Sequence, residues 1–120
     1  MSKSTEDYIR TIYILKMNKD RLHSVDIARE LGFSRASVSL AMTNLKKKDI
    51  ITMKRGGEIE FTESGQKIAE EIYDRYLVLS GFLQDVAGVD ENTAKEDAWS
   101  IGYYISDPTF AGIRQYIESR

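Results

Sequence analysis

Apolar residues recur at helical spacing through the first third of the chain. The period then changes to two at Ile50, around a Gly-Gly turn, and helical spacing returns from residue 63 onward. These observations predict a mostly α chain: an N-terminal winged helix-turn-helix followed by a C-terminal helical domain. The boundary is expected at Thr62, dividing the chain into 1–62 and 63–120.

The first helix opens in STEDYIR, with Ser4 as expected N-cap and Asp7 reaching back to it as in a capping box. Tyr8, Ile9, Ile12, Tyr13 and Leu15 follow at helical spacing. Ser24 starts a short helix, SVDIARELG, with Ile27, Ala28 and Leu31 inward and Gly32 as C-cap. Ser34 caps the third helix, SRASVSLAMTNLKKK, whose inner stripe is Val38, Met42 and Leu45. Ile50-Ile51-Thr52-Met53-Lys54 reads as a strand, and Glu58-Ile59-Glu60-Phe61 as its return. Between them Arg55-Gly56-Gly57 supplies the positive φ that tight hairpins need. Thr62 caps a long helix running to about residue 86, with Ile68, Ile72, Tyr76, Leu79, Leu83 and Val86 on one face. Gly88 breaks it, and Asp90 caps the next helix, which contains EDAWSIGYYIS. Asp107 and Pro108 stop that helix and begin the last, with Asp at the cap and Pro in the first turn.

Composition narrows the function classes. The 120 residues are 42% hydrophobic and 30% charged, as in ordinary globular proteins. There is no cysteine, which excludes disulfides and thiolate metal ligation. No apolar run approaches the roughly 20 residues that span a bilayer, and the polar N-terminus is unlike a signal peptide. The expected location is cytoplasmic, with no membrane partner. Net charge is −2, but its distribution is uneven. Residues 1–60 carry 12 basic and 8 acidic side chains; residues 61–120 carry 5 and 11. A basic half suits a polyanion. An enzyme is not expected: the single histidine, His23, reads as a surface residue with no convergent acid, and no nucleophile motif is present.

In a winged helix-turn-helix the third helix enters the DNA major groove and the second braces it. The candidate DNA-binding residues are Ser34, Arg35, Ala36, Ser37, Ser39, Leu40, Thr43, Lys46 and Lys47 on that helix, with Lys54 and Arg55 at the wing. Small polar groups at a helix N-terminus accommodate phosphate, and Arg35 suits bidentate pairing with guanine. Leu40 is apolar yet off the inner stripe, which fits either a thymine methyl contact or packing against the first helix. Lys46, Lys47 and Lys48 suit phosphate contacts, or a solvated helix end favoured by the macrodipole.

Three stretches carry a family resemblance: TEDYIRTIYIL, VDIARELGFSRASVSLAMTNLKKKDII and EIEFTESGQKIAEEIYDRYLVLSGFLQDVAGVDE. The chain resembles the iron- and manganese-dependent transcriptional repressors of the diphtheria toxin repressor and manganese transport regulator type (the DtxR/MntR family), most specifically in FTESGQKIA and FLQDVAGVDE. The resemblance implies a winged helix, a long linking helix and a helical dimerisation domain, in a short form without the SH3-like domain of longer members. It also implies homodimers that bind palindromic double-stranded operators once Mn²⁺ or Fe²⁺ binds. Phe82, Leu83, Val86, Ile101, Ile105, Phe110 and Ile117 are the expected seam.

The family's metal-ligand positions fall at Asp7, Arg10, Tyr76, Trp99, Gly102 and Tyr103. Only Asp7 keeps a ligand. First-row divalent cations want carboxylate or imidazole donors, and Arg10 brings a fixed positive charge. The expectation is therefore that no metal cofactor acts through the family site. Three alternatives stand for these positions. Aromatic residues fill the space, with Asp7 and Arg10 paired. Or Tyr8, Tyr76, Trp99 and Tyr103 line a pocket for a small organic effector. Or the chain is still a metal-responsive repressor, with a rebuilt site.

Overall fold

The computed structural model describes residues 1–120. The chain divides into two compact units, Met1–Glu71 and Ile72–Arg120. No helix is long and apolar enough to cross a membrane.

The first unit contains α1 (Lys3–Asn18), α2 (Ser24–Leu31), α3 (Arg35–Lys47) and the strands β1 (Ile51–Met53) and β2 (Ile59–Phe61). The cap of α1 is Ser2, not Ser4: the Ser2 hydroxyl accepts from the Thr5 amide at 3.1 Å, so the helix begins one residue before the expected cap. At α2, the Asp26 carboxylate accepts from the His23 amide at 2.9 Å, closing the entry to the helix. Gly32 ends it in the left-handed region at φ 69°. Ser34 caps α3 as expected, accepting from the Ser37 amide at 3.1 Å.

The end of α3 turns on Asp49, at φ 58°. The Ile50 amide donates to the Leu45 carbonyl at 3.0 Å and the Asp49 amide to that of Lys46 at 3.1 Å. This is a Schellman closure with aspartate in the usual glycine place. The strands are shorter than expected because the hairpin closes early: Lys54 N–H donates to the Glu58 carbonyl and Gly57 N–H to that of Lys54. Gly56 and Gly57 both have φ above 80°. The antiparallel register pairs Ile51 with Phe61 and Met53 with Ile59. Ile59 N–H also reaches the Leu22 carbonyl at 2.8 Å, tying the wing to the segment before α2. The core holds Ile9 and Ile12 of α1, Leu22, Ile27 of α2, Val38, Met42 and Leu45 of α3, and Ile51 and Ile59 of the wing.

The helix α4 (Glu63–Phe82) begins in the first unit and continues into the second. Thr62 caps it, accepting from the Gly65 amide at 2.9 Å while its hydroxyl donates to the Asp49 carbonyl at 2.6 Å. The expected inner face of α4 is corrected in part. Gly65, Ala69, Leu79 and Ser80 are the buried positions, whereas Ile68, Ile72, Tyr76 and Leu83 are half-buried and Val86 is 43% exposed. Helical backbone continues past Phe82 as a five-residue π-helical turn, Leu83–Ala87. Its i→i+5 bonding puts more residues in each turn and shifts the facing of each following side chain, so the α-helical spacing that put Val86 inward does not hold there. Gly88, at φ 74°, ends the turn.

The rest of the second unit is α5 (Glu91–Tyr104) and α6 (Asp107–Glu118). Asp90 caps α5 as expected, accepting from the Thr93 amide at 2.7 Å. The cap of α6 is Ser106 rather than Asp107: its hydroxyl accepts from the Thr109 amide at 3.3 Å, leaving Asp107 and Pro108 inside the first turn. Ala94, Ala98 and Gly102 recur every four residues on α5; both alanines are fully buried, and a Cβ at Gly102 would lie 3.3 Å from Leu79 Cδ1. The missing side chain at Gly102 leaves room there for the Leu79 side chain. Arg75 of α4 holds the joint between α5 and α6, donating to the Ile105 carbonyl and, at 3.0 Å, to Asp107. The Phe110 ring lies 4.9 Å from the Arg75 guanidinium and 5.2 Å from that of Arg114, which also pairs with Asp74.

Candidate nucleic-acid interface

The fold turns α3 so that Val38, Met42 and Leu45 are buried and the opposite face is open. All eleven candidate DNA-binding residues lie on exposed surface: Ser34, Arg35, Ala36, Ser37, Ser39, Leu40, Thr43, Lys46 and Lys47 along α3, and Lys54 and Arg55 at the hairpin tip. Leu40 is 64% exposed, which excludes the packing alternative. Some polar groups are already engaged. Ser34 donates to the Ser37 hydroxyl at 2.9 Å, and Thr43 to the Ser39 carbonyl at 3.0 Å. Lys54 lies 3.6 Å from Glu60, whose other oxygen meets Lys16 at 3.0 Å. The hydrogen bond from Lys16, with the charges of Lys16 and Lys54, outweighs burial and holds the Glu60 carboxyl below its ordinary value.

Two exposed polar side chains escaped the sequence reading. Asn44 lies one helical turn beyond Leu40, a position that helical spacing alone assigns to the same surface. Arg29 lies on α2, 3.6 Å from Asp26. Asp26 is itself an anchor: burial raises its carboxyl, but Lys19 at 2.9 Å, the His23 amide and Arg29 outweigh burial and hold it below its ordinary value. His23 is half-buried beside the wing, its ring 4.0 Å from where a Cβ on Gly57 would stand, rather than a free surface residue.

Residues 1–57 match the family model described as the iron dependent repressor N-terminal DNA binding domain. Residues 62–119 match that of the iron dependent repressor metal binding and dimerisation domain. The chain belongs to the iron-dependent repressor (DtxR/MntR) family.

Relatives within that family are distant but collinear. The chain is 28% identical to an uncharacterized HTH-type transcriptional regulator of Methanocaldococcus jannaschii, over 98% of this chain and 95% of that one. It is 27% identical to the transcriptional regulator MntR of Escherichia coli, over 94% of this chain and 72% of MntR. The fold is that of a manganese-dependent transcriptional repressor solved in complex with manganese, at TM-score 0.85 and 21% identity. The match covers 95% of this chain and 52% of the solved one, so this chain spans about half that protein's length.

The donor set at the family's metal positions does not fit a first-row divalent cation. On α1, Asp7 lies 3.5 Å from Lys3, and Arg10 follows one turn later. In the second unit Trp99 meets Tyr76 edge-on at 6.2 Å between centroids, and Tyr103 meets Tyr104 at 5.1 Å. Gly102 presents no side chain at all. No group of three or more histidine, aspartate or glutamate side chains is arranged to hold a metal ion. As for the proposed effector pocket, Tyr8 is buried in the first unit against Phe33, at 6.1 Å between centroids. Tyr76 and Trp99 pack on each other, and Tyr73 covers Tyr76 at 5.9 Å. The second unit also has a groove of about 450 Å³ along α6, lined by Phe110, Ala111, Arg114, Gln115, Glu118 and Ser119, which the sequence reading did not identify.

Proposed function

We propose that this family member is a homodimer that binds palindromic double-stranded operators, and that it does so without a metal at the family positions. The observation that carries the reading is α3. It exposes Arg35 and a row of small side chains on one face, between cations at both ends, while its other face fills the core. In this proposal residues 1–62 read DNA, and residues 63–120 supply the linking helix and the dimer seam.

The second unit supports homodimerisation. Of its residues 72–120, only Leu79, Ser80, Ala94 and Ala98 are buried, and α6 buries none. Phe82, Leu83, Ile101, Ile105, Phe110 and Ile117 are only half-buried. A unit this small is marginal alone. Covering these side chains with a second copy would stabilise it by about 25 cal/mol for each Å² of apolar surface removed from water.

Metal independence is supported by the donor chemistry of Arg10, Trp99, Gly102 and Tyr103. The test is selection from random duplexes in the presence of a chelator. An inverted repeat, with half-sites spaced by a helical turn of about 10 base pairs or a multiple of it, is the expected product. Recovery of no preferred duplex, or of one only when Mn²⁺ or Fe²⁺ is supplied, would overturn the proposal.

A further inference from the structure

We propose that Leu40 reads a thymine through its 5-methyl group, so that each half-site carries a thymine recognised by apolar contact. The inference rests on the DNA-binding reading above and names the base that reading leaves open.

In a chain that is 30% charged, residues 36–45 carry no charge at all. Arg35 stands at one end of this segment and Lys46 and Lys47 at the other. Its inward side chains are buried, yet Leu40 at its centre is 64% exposed. Ala36 and Thr43 lie one turn to either side on the same surface. The Thr43 proton is committed to the Ser39 carbonyl, which leaves that hydroxyl with nothing to donate to a base. The result is an uncharged surface between cationic ends, with Leu40 as its large apolar side chain and Ser37, Ser39, Thr43 and Asn44 around it. A major groove offers the complementary arrangement: phosphates at both walls, and base edges on the floor.

Among those edges the thymine methyl is the one apolar feature. Leucine has no hydrogen-bonding group. Pressed against guanine, adenine or cytosine it would cover N7, O6 or N4 without replacing their bonds to water, and those bases are disfavoured. Against thymine it can bury the methyl while O4 beside it stays open to water.

The experiment uses the full chain and a duplex obtained by selection. Each thymine is replaced singly by deoxyuridine, which removes only the methyl. At one position per half-site the wild type should lose affinity about fourfold, as burial of one methyl predicts. Leu40→Ala should bind the thymine and deoxyuridine duplexes equally. Because Leu40 is exposed, this variant keeps the fold. Where a cytosine replaces that thymine, 5-methylcytosine should restore binding relative to cytosine for the wild type only. Indifference of the wild type to every deoxyuridine, or discrimination persisting in Leu40→Ala, would overturn the inference while leaving DNA binding intact. Failure to select any duplex would overturn both.

Discussion

A Cβ built at Gly65 would fall 1.9 Å from the Ile50 carbonyl oxygen and 2.8 Å from its carbonyl carbon. Both are backbone atoms at the start of the wing, so no side-chain rotation relieves the clash. Gly65→Ala should therefore cost about 3 kcal/mol or more, at the upper end of overpacking effects, measured by denaturant unfolding. A change within 0.5 kcal/mol would mean that α4 enters at another angle. On the outer face the expectation is reversed. Arg35→Ala should leave stability unchanged and weaken operator binding by about 1–3 kcal/mol, with relaxed preference at one base pair. Equal loss on the selected operator and on random DNA would reduce Arg35 to a phosphate contact. Legibility at this scale followed local chemistry. Ser34, Gly32 and the Gly56-Gly57 pair announce cap, stop and turn, and the structure has them so. Asp49 does not announce its left-handed backbone, because only the Schellman hydrogen bonds around it require that conformation. The closeness of Gly65 to Ile50 is a tertiary approach with no sequence spacing to betray it.

Every α-helix and both strands were legible as elements, and their bounds went astray at the caps. Ser2 lies two residues before the expected cap Ser4 and takes its place; Ser106 likewise sits just before the Asp107 expected to cap α6. Hydrogen bonds from Thr5 and Thr109 decide the matter, and residue type alone does not rank adjacent candidates. The π-helical turn after Phe82 was not legible, since its residues have the composition of an ordinary helix end. At the start of α2, Asp26 gathers Lys19, Arg29 and the His23 amide, and its carboxyl is held below its ordinary value. A carboxyl depressed on folding contributes stability that is complete above the unfolded value, near 4 for aspartate, and is lost as pH falls through the folded value. Asp26→Asn should cost on the order of 1 kcal/mol at neutral pH. The difference from wild type should shrink as pH falls from about 5 through the acid range, read from chemical denaturation at stepped pH. A gap that stays constant with pH would show that the amide-for-carboxylate exchange acts through packing.

The distribution of burial separates the two units. The winged helix encloses a core of fully buried isoleucines, leucines and methionine, whereas residues 72–120 bury little beyond Leu79 and two alanines. The sequence carried the fold class, because it rests on periodicity, and the residues expected to face DNA all lie on exposed surface. It could not divide buried core from half-buried surface in residues 72–120, because both kinds of position carry equally apolar side chains. Nor could it show how Tyr76, Trp99 and Gly102 are packed: Gly102 packs onto Leu79, and Tyr76 onto Trp99. In the proposed function, DNA binding needs no metal at the family positions. Its most direct measurement is affinity for the selected operator, titrated with Mn²⁺ or Fe²⁺ from a chelated start, with melting temperature followed in parallel. One dissociation constant and one melting temperature are expected throughout. A bound ion at 100 times its dissociation constant would add about 2.7 kcal/mol of stability. A rise in melting temperature of that size, together with tighter operator binding, would contradict the account and restore metal as the switch.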